Sequence, residues 1–170
     1  MPNVLFLCTR NSADSILAES ILRSVGKARF QAFSAGCQPA GAVSEPVLDF
    51  LRERQLPAEG LRSKSWLEFM GPQAPKLEFV ITLSGRAAAA SQPWGGDPLI
   101  AHWTLDAEED GPQGDPSGWD IRDRFWVLSR RIKIFASLPH GKASRHSLQH
   151  RLQALQGRSW LALHIARRLG

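Results

Sequence analysis

A chain of 170 residues, 43% hydrophobic and 22% charged, has the size and make-up of one globular domain, long enough to bury roughly two thirds of its unfolded surface. No apolar run approaches the ~20 residues of a membrane span, the run Val4–Leu7 is too short for a secretory signal, and two cysteines are too few for a disulfide framework or a cysteine-rich zinc site. A cytoplasmic protein without cofactor is expected, and its formal charge of +5 gathers in a C-terminal region that has no acid after Asp123.

Val4-Leu5-Phe6-Leu7 is an unbroken apolar run ending in a polar loop, the pattern of a strand buried on both faces of a parallel sheet. Ile16, Leu17, Ile21, Leu22 and Val25 then follow a 3.6-residue period, which predicts a helix stopped by Gly26. Residues 30–34 read as a second strand. A second helix is predicted over 43–54, with Ser44 as N-cap and Val47, Leu48 and Leu51 on one face. Residues 77–83, centred on Phe79-Val80-Ile81-Thr82, are the strongest strand signal, followed by an alanine-rich helix over 86–91 and a fourth strand over 99–103. Residues 106–118 are acidic and rich in Gly and Pro, hence a surface loop. A long amphipathic helix is predicted over 120–138, with Ile121, Phe125, Leu128, Ile132 and Phe135 inward and Pro139 ending it. Further helical patterns cover 146–155 and 160–169.

Strands alternating with helices imply an α/β fold: a single three-layer domain with a four-stranded parallel sheet and right-handed crossovers. Residues 1–140 are expected to form its body, and residues 141–170 a basic helical extension packed on the same domain. Lys142, Arg145, Arg151, Arg158, Arg167 and Arg168 read as a solvated face. No aromatic-interleaved basic motif accompanies them, so nucleic acid is not an expected partner. His146 and His150 have the i,i+4 spacing of a helical metal pair but no third ligand nearby in sequence, and no metal is expected.

In such sheets the functional crevice lies at the carboxyl ends of the strands, where Cys8 and Cys37 both fall. A cysteine closing a buried strand, followed by a short loop into a helix, exploits two effects. The loop and helix amides converge on an anion, and the helix dipole favours both that anion and a thiolate.

The stretch Cys8-Thr9-Arg10-Asn11-Ser12-Ala13-Asp14-Ser15, continuing Ile16-Leu17-Ala18-Glu19, resembles the Cys-Thr-Gly-Asn-Ser-x-Arg-Ser loop of the low-molecular-weight protein tyrosine phosphatases and the related thioredoxin-coupled arsenate reductases. Ser34-Ala35-Gly36 with Pro39 and Gly41, Gly60-Leu61-Arg62-Ser63-Lys64-Ser65-Trp66, Phe79-Val80-Ile81-Thr82-Leu83 and His102-Trp103 extend the likeness over about residues 3–156, nearer the arsenate reductase branch. The resemblance implies a Rossmann-like sheet, Cys8 as nucleophile, residues 9–15 as the anion loop, and a phosphate- or arsenate-type oxyanion as ligand.

Three departures fall on the chemistry. The family arginine, a bidentate clamp on the oxyanion, is Asp14 here, and the glycine two after the cysteine is Arg10. Losing such a partner costs about 2 to 5 kcal/mol, so only weak oxyanion binding is expected, with a less reactive Cys8 and with Arg10 as the counterion of Asp14. The relay cysteine that the arsenate reductase branch places after strand three is Ser84, which leaves Cys37 as the alternative redox partner of Cys8. The family's general acid, an Asp before Pro, corresponds to Asp106 by register or to Asp115 by its Asp-Pro dipeptide, unless there is no acid at all. The expected protein is a catalytically impaired or non-catalytic binding member of the family. An active arsenate reductase or phosphatase, and a thiol-redox protein using Cys8 and Cys37, are the alternatives.

Overall fold

The computed structural model describes residues 1–89, 94–105 and 120–156. Four strands, β1 (Asn3–Cys8), β2 (Gln31–Gly36), β3 (Phe79–Thr82) and β4 (Leu99–His102), form one parallel sheet in the order β2-β1-β3-β4. Between them lie α1 (Asp14–Gly26), α2 (Glu45–Glu53) and α3 (Gly85–Ala89), and after β4 come α4 (Ile121–Ser137) and α5 (Arg145–Ala154). Among the described residues no helix is long and apolar enough to cross a membrane.

The interior position of β1 explains its unbroken apolar run. With a neighbour on each edge and packing on each face, every residue from Val4 to Cys8 is buried. Alternation along the pleat sends Val4, Phe6 and Cys8 to one face, into a core shared with Ile16, Leu17, Val47, Leu51, Leu128 and Ile132. Leu5 and Leu7 face the other way, against Phe69, Val80 and Ala87. Edge strand β4 alternates instead, with Leu99 and Ala101 buried and Ile100 and His102 exposed.

The predicted helices differ from the observed ones mainly at their ends. Ser44 stands at the N-cap of α2, yet its side chain makes no capping bond. Its carbonyl takes the Val47 and Leu48 amides, and Pro46, pre-set for helical φ, opens the helix. Helix α4 has a stronger start, a reciprocal box in which Asp120 Oδ1 accepts from the Asp123 amide at 3.0 Å and Asp123 Oδ2 from the Asp120 amide at 3.2 Å. The predicted loop over 106–118, with Asp106 and Asp115, and the predicted helix over 160–169 lie outside the described residues.

Candidate active site: the Cys8 loop

Cys8 ends β1 fully buried, and the loop after it is held from several sides. Gly36 lies opposite Cys8 in the β1–β2 register, and a Cβ there would sit 2.7 Å from the Thr9 carbonyl oxygen, so only glycine lets the loop cross this close. The segment after β2 binds the loop carbonyls in turn: Cys37 N–H donates to Cys8 O at 3.1 Å, Gln38 N–H to Thr9 O at 2.8 Å, Ala40 N–H to Arg10 O at 2.9 Å, and Ser44 N–H to Ser12 O at 3.0 Å. Thr9 and Ser84 share a hydroxyl bond of 2.9 Å.

Asn11 is the centre of the turn. Its backbone is left-handed at φ 49°, a conformation Asn tolerates better than most residues. The Lys64 amide can only donate, so the Asn11 oxygen that meets it at 2.9 Å is Oδ1, and Nδ2 points to Ser15 Oγ at 2.7 Å. Ser15 Oγ therefore accepts from Asn11, and its own proton is free to go to Cys8 Sγ, 2.8 Å away, when the sulfur is a thiolate. The Asn11 amide lies 3.2 Å from the same sulfur. The Asn11 amide, and the Ser15 hydroxyl when it donates, favour the thiolate of this buried sulfur over its thiol.

Replacing Ser15 with alanine removes one of those donors and should move the appearance of thiolate absorbance in an ultraviolet pH titration to higher pH, with Cys8→Ser as the blank. An unchanged titration would mean that the hydroxyl does not donate to the sulfur.

Asp14 opens α1 and is 1% exposed. Arg10 was expected to be its counterion, but Arg10 lies on the surface. The carboxylate instead meets a residue 110 positions away: Arg124 Nη1 donates to Asp14 Oδ2 at 2.7 Å, and Arg124 is itself only 6% exposed. The pair ties the first turn of α1 to the first turn of α4, along the most extensive helix–helix contact of the fold. A counter-charge this close cancels much of the repulsion that a bare carboxylate would exert on an incoming anion or on the Cys8 thiolate.

A second buried polar chain runs behind the loop. Glu19 accepts from Arg23 Nη2 and from Ser34 Oγ, both at 2.7 Å. Lys64 Nζ reaches Ser34 Oγ at 3.5 Å and Arg62 O at 3.0 Å. Burial pushes the Lys64 ammonium below its usual value, with Glu19 opposing that shift. Since the Lys64 backbone holds both Gly36 N–H and Asn11 Oδ1, this chain underpins the turn that presents Cys8.

The model of the low molecular weight phosphotyrosine protein phosphatase family matches residues 3–97, the stretch that carries β1, the Cys8 loop, β2 and β3. The chain belongs to that family. Among solved structures it is similar to an arsenate reductase from Archaeoglobus fulgidus (24% identity, 79% of this chain and 99% of that one, TM-score 0.62). It is also similar to a low molecular weight protein tyrosine phosphatase from T. tengcongensis (23%, 81% and 100%, 0.59). A thioredoxin-dependent arsenate reductase from Corynebacterium glutamicum matches at 23% identity over 79% of this chain, with TM-score 0.60, and the chain spans only 59% of that protein's length. No curated protein matches the chain.

Among the described residues the structure gathers Cys8, Thr9, Asn11, Ser15, Asp14 and Ser84 around the family loop, and the sequence reading had marked all of these. It had missed Arg124 and the part played by Lys64. Arg124 carries a legible signal in retrospect, since 124, 128, 131 and 135 form one helical stripe and Leu128 and Phe135 were read as inward. A basic residue on a buried stripe requires a partner. Cys37 is half-buried and hydrogen-bonded through its backbone to Cys8 O, but the register sets Gly36 and not Cys37 opposite Cys8.

Proposed function

We propose that this family member has kept the cysteine-supporting half of the site and lost the oxyanion-clamping half, and that it acts as a non-catalytic or catalytically impaired binding protein. The observation that carries this reading is the buried Asp14–Arg124 pair. The family's clamp position now holds a carboxylate engaged with another helix, so nothing at that position grips a tetrahedral anion. Phosphate or arsenate is then at most a weak ligand, and a protein partner in the cytoplasm is the proposed class of physiological ligand. Asp106 and Asp115 remain the proposed acids for any residual turnover.

A second reading, a thiol-redox protein using Cys8 and Cys37, draws on the 3.1 Å bond between the Cys37 amide and the Cys8 carbonyl, which makes the two residues backbone neighbours. It requires the two sulfurs to come within bonding distance, with their Cα atoms less than about 7 Å apart.

Turnover decides between impairment and activity. With p-nitrophenyl phosphate, and with arsenate plus thioredoxin, the expected rates lie well below the 1 per second or so typical of slow enzymes. A rate on the order of 1 per second or faster that Cys8→Ser abolishes would show the proposal to be wrong.

A further inference from the structure

Beside the later turns of α1 and the end of α2 lies an open groove of about 770 Å³, lined by Arg23, Arg52 and residues 55–59. Its volume falls within the roughly 300 to 1,000 Å³ of small-ligand sites. The segment after α2 that forms one wall is pinned in place. Gln55 N–H donates to Arg52 O at 3.0 Å, Leu56 N–H to Leu51 O at 2.9 Å, and Ser20 Oγ on α1 to Pro57 O at 2.5 Å. Leu56 and Ala58 also pack on the core, which fixes the apolar part of the lining.

Two guanidinium groups meet this lining with donors to spare. Arg23 is held from both sides, Nη1 by Glu59 O and Nη2 by Glu19 Oε1, each at 2.7 Å. A guanidinium has five N–H donors, so these bonds leave others for a ligand, and they order the side chain in advance, which lowers the entropy lost on binding. Arg52 has Asp49 as its acidic neighbour among the described residues, at 3.6 Å, with side chains 61% and 65% exposed. A pair so open to water contributes little and yields readily to a better-placed anion. Glu59 also borders the groove, but it is exposed and its repulsion is screened.

Gln55 supplies an independent sign. It follows α2 in the left-handed region, at φ 57°, a helix-end position that glycine ordinarily takes because a side chain is strained there. Packing does not demand a side chain at this exposed position, yet the chain carries one, and it borders the groove. Backbone strain kept where the fold does not need it points to use. We infer that the groove is a binding site for a small organic carboxylate, separate from the Cys8 loop. Arg23 and Arg52 take the carboxylate, whose planar shape suits guanidinium donors, and the Gln55 amide adds a further donor. The hydrocarbon body of the ligand covers Leu56, Pro57 and Ala58, which a bare inorganic anion would leave wet.

Benzoate serves as the probe, titrated into the nitrogen-15-labelled full chain and followed by NMR. It should shift the Leu56, Ala58 and Glu59 amides and the Arg23 and Arg52 Nε–H signals saturably, with Kd in the millimolar range or below. Benzyl alcohol, which lacks the charge, and acetate, which lacks the body, should each bind about 10-fold more weakly or worse. Arg52→Gln should weaken benzoate about 10-fold, the loss of a charged hydrogen bond. Gln55→Gly should weaken it about 3-fold while melting no lower than the parent, because relief of the left-handed strain offsets the added freedom of the unfolded chain. Equal binding of benzyl alcohol, shifts confined to residues 9–15 of the Cys8 loop, or no saturable shift by about 50 mM benzoate overturns the inference. So does either variant if it binds benzoate as the parent does, and a lower melting temperature for Gln55→Gly counts against it by showing that the glutamine is kept for the fold.

Discussion

Exchanging Arg124 for methionine should lower the unfolding free energy by about 3 to 5 kcal/mol, the usual consequence of stranding a buried charge. For a chain of this size that is a fall in melting temperature of roughly 6 to 20 °C. Both members of the pair are nearly inaccessible to water, so solvent cannot step in for the lost guanidinium. The double variant Asp14→Leu with Arg124→Met removes both charges and should recover most of the loss, because a buried ion pair gives little net stability over a well-packed apolar one. Urea denaturation of the two variants against the parent measures this directly. A loss below about 1 kcal/mol for Arg124→Met, the size of a surface pair, would mean that the carboxylate does not depend on that partner.

Restoring an oxyanion site should take three changes and not two. Asp14→Arg with Arg10→Gly rebuilds the family loop on paper but sets a new guanidinium against Arg124 in a buried space, and that variant is expected to lose stability without gaining a ligand. Adding Arg124→Leu frees the position. Phosphate affinity should then rise on the order of 10²-fold, the lower part of the range that a bidentate clamp supplies at about 1.4 kcal/mol per decade. Isothermal titration with inorganic phosphate reads the outcome. If the triple variant keeps a cooperative melt yet binds no better than the parent, the loop has departed from its relatives at more than these positions, and the clamp position alone does not set its affinity for oxyanions.

Residues 3–26 were readable because their information is local. An apolar run without polar interruption belongs inside a parallel sheet, an apolar period of 3.6 belongs to a helix on its face, and the loop between them is short enough for its residues to specify one another. Asn11 and Ser15 lie within seven positions of Cys8, and the hydrogen bonds that support the sulfur join members of that same stretch. The boundaries of α2 and α3 were less legible. Ser44 has the residue type of an N-cap but not the side-chain bond, and its amide donates to Ser12 O across the site.

What the sequence determined alone is therefore the ancestry, the four parallel strands, and the identity of the loop that holds Cys8. What only the tertiary structure decided is where the charges and amides of distant segments meet. Asp14 in isolation looks like a carboxylate thrust into an anion site, with Arg10 its nearest cation along the chain. Packing α1 against α4 gives it Arg124 instead, and turns an apparent repulsion into a buried pair. The glutamines of α5 find their partners, the outward backbone groups of β4, only once the helix is laid beside that strand. The physical reason is the same in both cases. A desolvated polar group must find a partner, and the partner is set by which surfaces the fold brings within 3 Å or so, whatever their separation along the chain.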